Sequence, residues 1–272
     1  MTSPAGAAPQ PSPAAAACPD IGHTLLAIFA HPDDESIASG GLLAWCADRG
    51  ARVSLLCVTR GGYGAGDAAL DVKARRTAEL DAAAHVLGLA EVALLDYRDG
   101  YLPWEGGPAL VADVRAAIER VQPEVVVTFG PDGLYWHPDH IAVHEATTTA
   151  IDALGERAPA LFYVPTPPDQ MRRVLEAALV AHAGSPDGDA PRGILGITNV
   201  EAFGSHAEPP TLVVDATAHA GRKLAALRCH RTQVAGDALD LLPDTAAHLL
   251  GVEHYRRADT GATGLTFIER LG

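Results

Sequence analysis

Short apolar runs alternating with stretches of helical spacing constrain this chain more than any other feature. Residues 25–29, 53–58, 92–95, 124–129 and 161–163 read as strands, and the unbroken apolar character of 25–29 suits a strand covered on both faces. Helical sequence fills 35–49 and 71–87, the second closed by Gly88, a residue suited to a left-handed C-terminal cap. Leu110, Val111, Val114, Ile118 and Val121 keep helical spacing up to Pro123, which ends the helix. Strand–helix alternation of this kind implies an α/β fold, a Rossmann-like and mostly parallel sheet with helices on both faces. Beyond Tyr163 the pattern loosens. Residues 165–210 are rich in Pro, Gly and Asp with one helix expected over 172–181; 212–214 reads as a late strand, 218–230 as a helix and 265–268 as a final strand. One domain over 21–272 with an elaborated C-terminal third is expected, behind an Ala-, Pro- and Ser-rich lead over 1–20.

The chain has 272 residues, enough to bury a sizeable core. A net charge of −14 argues against nucleic acid or an anionic membrane as partner, since both call for a basic face. No stretch has the length of a membrane-spanning helix. The lead lacks the basic start and Leu-rich run of a signal peptide and reads as disordered. The alternative is that it wraps onto a neighbouring subunit of a homo-oligomer. The four cysteines include no C-x-x-C pair, which points to a reduced, cytoplasmic setting with Cys46 and Cys57 as small core residues.

Two polar clusters stand just past two of the strands. His31-Pro32-Asp33-Asp34-Glu35 follows the first, and Asp132 to His140, containing His137-Pro138-Asp139-His140, follows the fourth. Loops at the carboxyl ends of parallel strands converge on the ligand crevice. Together they offer His31, Asp34 and His140 as nitrogen and oxygen ligands for Zn²⁺ or a similar divalent ion, with an open position for water. Asp33 is then free to take a proton. His137 can face the other side of a substrate carbonyl, and Asp139 can orient one of the histidines. Pro and Asp favour turns, so one such cluster alone would be ordinary loop chemistry. Two of them, each ending a strand and each holding a second potential ligand, point to a metal.

Ala30-His31-Pro32-Asp33-Asp34-Glu35 followed by His137-Pro138-Asp139-His140 resembles the LmbE/PIG-L family of metal-dependent N-deacetylases, over most of the chain from about Thr24 onward. Arg76-Thr77-Ala78-Glu79, Asp99-Gly100, and Lys223 followed by His230-Arg231-Thr232-Gln233 extend the likeness. The resemblance implies a Rossmann-like fold and a zinc site of His31, Asp34 and His140. It also implies Asp33 as general base, and His137 as oxyanion stabiliser or acid. Arg76 and Asp99 match positions that contact sugar hydroxyls. The implied partner is a small-molecule or glycoconjugate substrate of amino-sugar type. Thr59-Arg60-Gly61-Gly62 lacks the acid that many relatives carry after the second strand, and the motifs leave the substrate open.

Arg76 falls on the apolar stripe of its helix and needs a partner, for which Glu79 is within reach. Lys223, Leu227 and His230 share a helix face that reads equally as solvated or as a crevice wall. His144 lies one turn past His140 and is an alternative ligand, and Tyr135 could donate a hydrogen bond to an oxyanion. A dinucleotide-binding enzyme is disfavoured because the glycines follow the second strand with the wrong spacing. A metal-dependent esterase or phosphoesterase and a non-catalytic zinc-binding module are the remaining alternatives. Two-metal phosphoesterases need more carboxylates than these clusters supply.

Overall fold

The structure is a computed structural model and describes residues 22–63, 66, 69–167, 169–183, 190–206 and 208–270. The expected lead over 1–20 lies outside them. Seven strands form one sheet in the order β3-β2-β1-β4-β5-β7-β6. They are β1 Thr24–Phe29, β2 Arg52–Thr59, β3 Glu91–Tyr97, β4 Val125–Phe129, β5 Ala160–Val164, β6 Leu212–Asp215 and β7 Val252–Gly261. β1 to β5 run parallel, and β7 pairs antiparallel with both β5 and β6. β1 and β4 are direct neighbours, with Leu25 opposite Val125 and Ala27 opposite Val127. The chain order reverses between them, so the two polar loops leave adjacent strand ends at the topological switch point.

The helices are α1 Asp34–Asp48, α2 Ala69–Leu87, α3 Leu102–Glu105, α4 Gly107–Val121, α5 Gly133–Trp136, α6 Pro138–Leu154, α7 Gln170–His182, α8 Ala220–Leu227, α9 Arg231–Val234, α10 Ala238–Leu241 and α11 Phe267–Arg270. α1, α2 and α8 pack together on one side of the sheet and α4 with α6 on the other. Leu25 to Phe29, Val125 to Val127 and Phe162 are fully covered, as strands between two helical layers must be. A second apolar cluster, including Val174, Phe203, Leu224, Leu227 and Leu239, lies under the C-terminal third.

One sequence expectation fails at the C-terminus, and a strand stands where none was expected. Residues 265–268 are not a strand: Thr266 opens α11, and Glu269 accepts from the Thr266 N–H and hydroxyl. The Glu269 carboxylate reaching back to the Thr266 N–H is one half of the capping box spelled by Thr-x-x-Glu. The last strand is instead β7, whose inward face carries Glu253 as well as Tyr255. A buried carboxylate broke the apolar alternation that would have marked it.

Candidate active site

The loop after β1 delivers His31, and α1 starts at once with Asp34. Asp33 stands at the N-cap position of that helix at φ 131°, without a side-chain cap, a conformation that costs a non-glycine residue roughly 1–3 kcal/mol. Its carboxylate turns away from the helix and meets the Arg76 guanidinium at 3.1 Å. Arg76 reaches across from α2, also donating to the Pro32 carbonyl at 2.8 Å. It passes so close to Gly61 that a Cβ there would lie 2.4 Å from its Nη1. Gly61 sits at φ +71°, so both the turn and the space demand glycine. Glu79, the expected partner of Arg76, instead accepts from the Thr232 N–H and hydroxyl.

Three side chains converge, Asp34 with both of its carboxylate oxygens. His31 Nδ1 lies 3.3 Å from Asp34 Oδ2 and 3.2 Å from His140 Nε2, and His140 Nε2 lies 3.2 Å from Asp34 Oδ1. Ligands about 2.0–2.1 Å from one tetrahedral zinc stand ~3.3 Å apart, so the spacing fits a single small cation. Hydrogen bonds at the outer ring nitrogens fix the tautomers. His31 Nε2 faces Asp99 Oδ1 at 3.0 Å and Asp139 Oδ2 at 3.2 Å, and His140 Nδ1 faces the Gly133 carbonyl at 3.1 Å. With the outer nitrogens engaged in this way, both inner nitrogens would turn lone pairs to a cation that displaced the proton between them, as metal-binding histidines do.

The electrostatics agree. Burial alone would lower the pKa of His31, but Asp139, Asp34 and Asp99 outweigh it and hold it well above its ordinary value. Burial would raise Asp34, but His140 and His31 draw it well below the usual carboxylate range. The cluster favours positive charge at its centre, which a divalent cation supplies.

Asp33, beside that centre, behaves differently. Burial pushes its carboxyl up to about 7 against the pull of Arg76, the range of a general base working near neutrality. His137 sits with a ring nitrogen within 4.8 Å of those of His31 and His140. Burial, with His140 and His31 nearby, lowers its pKa to about 4. Its Nδ1 accepts from the Asp139 backbone N–H at 3.2 Å, leaving Nε2 to carry the proton of the neutral ring. The histidine that Asp139 contacts through its carboxylate is His31 rather than His137. The Asp139 carboxylate holds His31 and accepts from the Gly100 and Leu102 N–H groups, and His137 is a neutral N–H donor. Asp99 likewise holds His31, and despite burial the His31 ring, the Tyr63 N–H and Arg76 keep it at about 2.

His31, Asp33, Arg76, Asp99, Tyr135, His137 and Asp139 line one cavity of about 500 Å³, with Tyr63, Trp104, Leu195, Ile197 and Gln233 at its walls. Burial and the neighbouring Asp34 and Asp33 raise Tyr135 well above its ordinary value, so it stays an O–H donor. Some residues fall elsewhere. His144 donates to the Phe129 carbonyl at 3.0 Å, lies tilted against the Tyr163 ring and does not join the donor triad. Lys223 neither faces solvent nor lines this cavity: it is buried against Glu253 at 2.6 Å. His230 is buried against Glu35 at 2.8 Å, a contact between positions 195 residues apart that no local spacing announces.

Fold and site together define a Rossmann-like α/β protein carrying an open two-histidine, one-carboxylate triad beside a buried acid. The chain belongs to the PIG-L family, described as GlcNAc-PI de-N-acetylase, whose pattern it matches over residues 26–151. It is 33% identical over 260 residues to the 1D-myo-inositol 2-acetamido-2-deoxy-alpha-D-glucopyranoside deacetylase of Acidothermus cellulolyticus, covering 85% of this chain and 87% of that protein. Among solved structures it is similar to N,N'-diacetylchitobiose deacetylase from Pyrococcus horikoshii (TM-score 0.59, 20% identity, 86% of this chain and 83% of that one). It is equally similar to GalB, the 4-carboxy-2-hydroxymuconate hydratase from Pseudomonas putida KT2440 (TM-score 0.61, 19% identity, 90% and 99% covered). The two likenesses speak for the fold alone, since a deacetylase and a hydratase share it.

Proposed function

We propose that this chain is a zinc-dependent N-deacetylase that hydrolyses the acetamide of an N-acetylglucosaminyl-type substrate. The observation that carries the reading is the triangle of lone-pair donors from His31, Asp34 and His140, with the free carboxylate of Asp33 at its side. The nitrogen and oxygen donor set suits Zn²⁺. A zinc ion held there supplies a Lewis acid and makes water easier to deprotonate at neutral pH.

The protein's own groups do the rest. Asp33, fixed by Arg76, takes the proton from a water molecule as its oxygen attacks the acetamide carbon. Charge moves onto the carbonyl oxygen, where the Nε2–H of His137 and the hydroxyl of Tyr135 donate. The C–N bond then breaks, the proton held on Asp33 passes to the departing nitrogen, and acetate and a free amine leave. The apolar Leu195 and Ile197 and the aromatic Tyr63 and Trp104 at the walls suit the ring faces of a glycoconjugate. No helix among the described residues is long and apolar enough to cross a membrane. Cys46, Cys57 and Cys229 are free thiols, in keeping with a proposed cytoplasmic setting.

The test is acetate release from a GlcNAc–inositol conjugate, N,N'-diacetylchitobiose and an N-acetylated glycopeptide, run on zinc-loaded and chelator-treated protein. Release that needs zinc is expected for at least one. Cleavage of ester analogues alone would turn the reading to an esterase.

A further inference from the structure

The His230-Arg231-Thr232-Gln233 turn and Glu35 take no part in the chemistry above, yet both are built into the catalytic layer. Glu35 is fully buried, and its carboxylate has three donors around it. Oε2 accepts from the Asp33 backbone N–H at 3.0 Å, while Oε1 accepts from the Ser36 hydroxyl and lies 2.8 Å from His230 Nε2. His230 is fully buried as well, and its other nitrogen has no hydrogen-bond partner among the described residues. The ring therefore makes one polar contact, to Glu35. An isolated buried imidazole and carboxylate are each costly, so the pair persists for what it holds.

What it holds is the residue with the strained backbone. Asp33 stands at φ 131° with its side chain turned to Arg76 rather than capping α1. Its backbone N–H is tied down by Glu35, two residues on, in place of the usual reach-back from the third helical residue. The same turn grips α2: the Thr232 N–H and hydroxyl donate to Glu79, three residues past Arg76 on that helix. Gln233 lines the catalytic cavity.

We infer that His230 is a positioning residue that acts through Glu35 to hold Asp33 in its strained, substrate-facing conformation. The inference rests on the deacetylase reading of the site only where turnover is measured. Its structural half is read without substrate, from amide hydrogen exchange at Asp33.

The experiment compares zinc-loaded wild type with His230→Asn, which keeps polarity but is too short to reach Glu35, and His230→Gln, whose terminal N–H matches the Nε2 donor. Exchange at the Asp33 amide, metal content, kcat and KM for acetate release from a GlcNAc–inositol conjugate are measured on each. In His230→Asn we expect the Asp33 amide to lose protection and kcat to fall about 10- to 100-fold, the scale of one lost positioning contact. KM and zinc per chain should stay within twofold, and His230→Gln should recover most of both losses. Unchanged exchange and kcat in His230→Asn would overturn the inference, as would a His230→Gln protein equally impaired. Loss of zinc in step with kcat would also overturn it, by making the contact part of the metal site. A wild type that releases no acetate bears on the deacetylase reading alone, because the exchange result still decides whether His230 holds Asp33.

Discussion

In the proposed mechanism Asp33 carries the acid–base chemistry, and Arg76 sets where it titrates. Burial raises the carboxyl to about 7 and the guanidinium opposes that rise. Turnover needs the deprotonated form, so activity should fall as pH drops through the pKa of Asp33. A cation at the triad pulls that limb lower, since opposite charge favours the ionised acid. Arg76→Met removes one of the opposing charges, so the acidic limb of kcat/KM should move to higher pH. A limb that stays put or moves down would show that Asp33 is not the titrating base. His137, lowered to about 4, should add no limb between pH 5 and 8. At this scale the sequence was legible where chemistry is local. His31, Asp33 and Asp34 share one loop, and the motif names them. Arg76 was legible as an inward charge but not in its partner, because Asp33 is 43 residues away and the contact depends on Gly61 leaving room.

At the scale of elements, β1 and β4 decide the site by being neighbours, and the apolar runs sufficed to place both. β7 was missed because Glu253 interrupts its inward face, and the 265–268 run was misread because Thr266 and Glu269 cap a helix there. The Pro- and Gly-rich segment over 165–210 sends Leu195 and Ile197 to the cavity wall. Replacing both with serine should raise KM several-fold for substrates with an apolar or ring-bearing aglycone, leaving zinc content and the KM for the smallest acetamido sugar nearly unchanged. Steady-state kinetics on a short and a long substrate check this. Equal KM changes on both would mean that the two residues support the site without contacting the distal group.

Across the whole molecule, the buried Glu253 is one of the carboxylates that fasten the C-terminal third to the catalytic layer, beside Glu35 with His230. Glu253 on β7 accepts from the Gly41 and Leu42 N–H groups of α1, from the Tyr255 hydroxyl, and from Lys223 on α8 at 2.6 Å. Lys223 and Glu253 are 3% exposed each, so removing one leaves the other charged and buried. Lys223→Met should therefore cost about 3–5 kcal/mol in urea unfolding, and adding Glu253→Gln should recover part of it. A loss under about 1 kcal/mol, the range of an exposed pair, would show that the tie does not hold the two parts together. The central claim concerns the division of labour at the triad, and metal content measured beside kcat for His140→Ala and Asp33→Asn tests it most directly. His140→Ala should lose bound zinc and activity together. Asp33→Asn should keep its zinc while kcat falls by roughly 10²–10³, the usual scale for losing one catalytic group. An Asp33→Asn protein emptied of zinc, or a His140→Ala protein that is metallated and active, would contradict it.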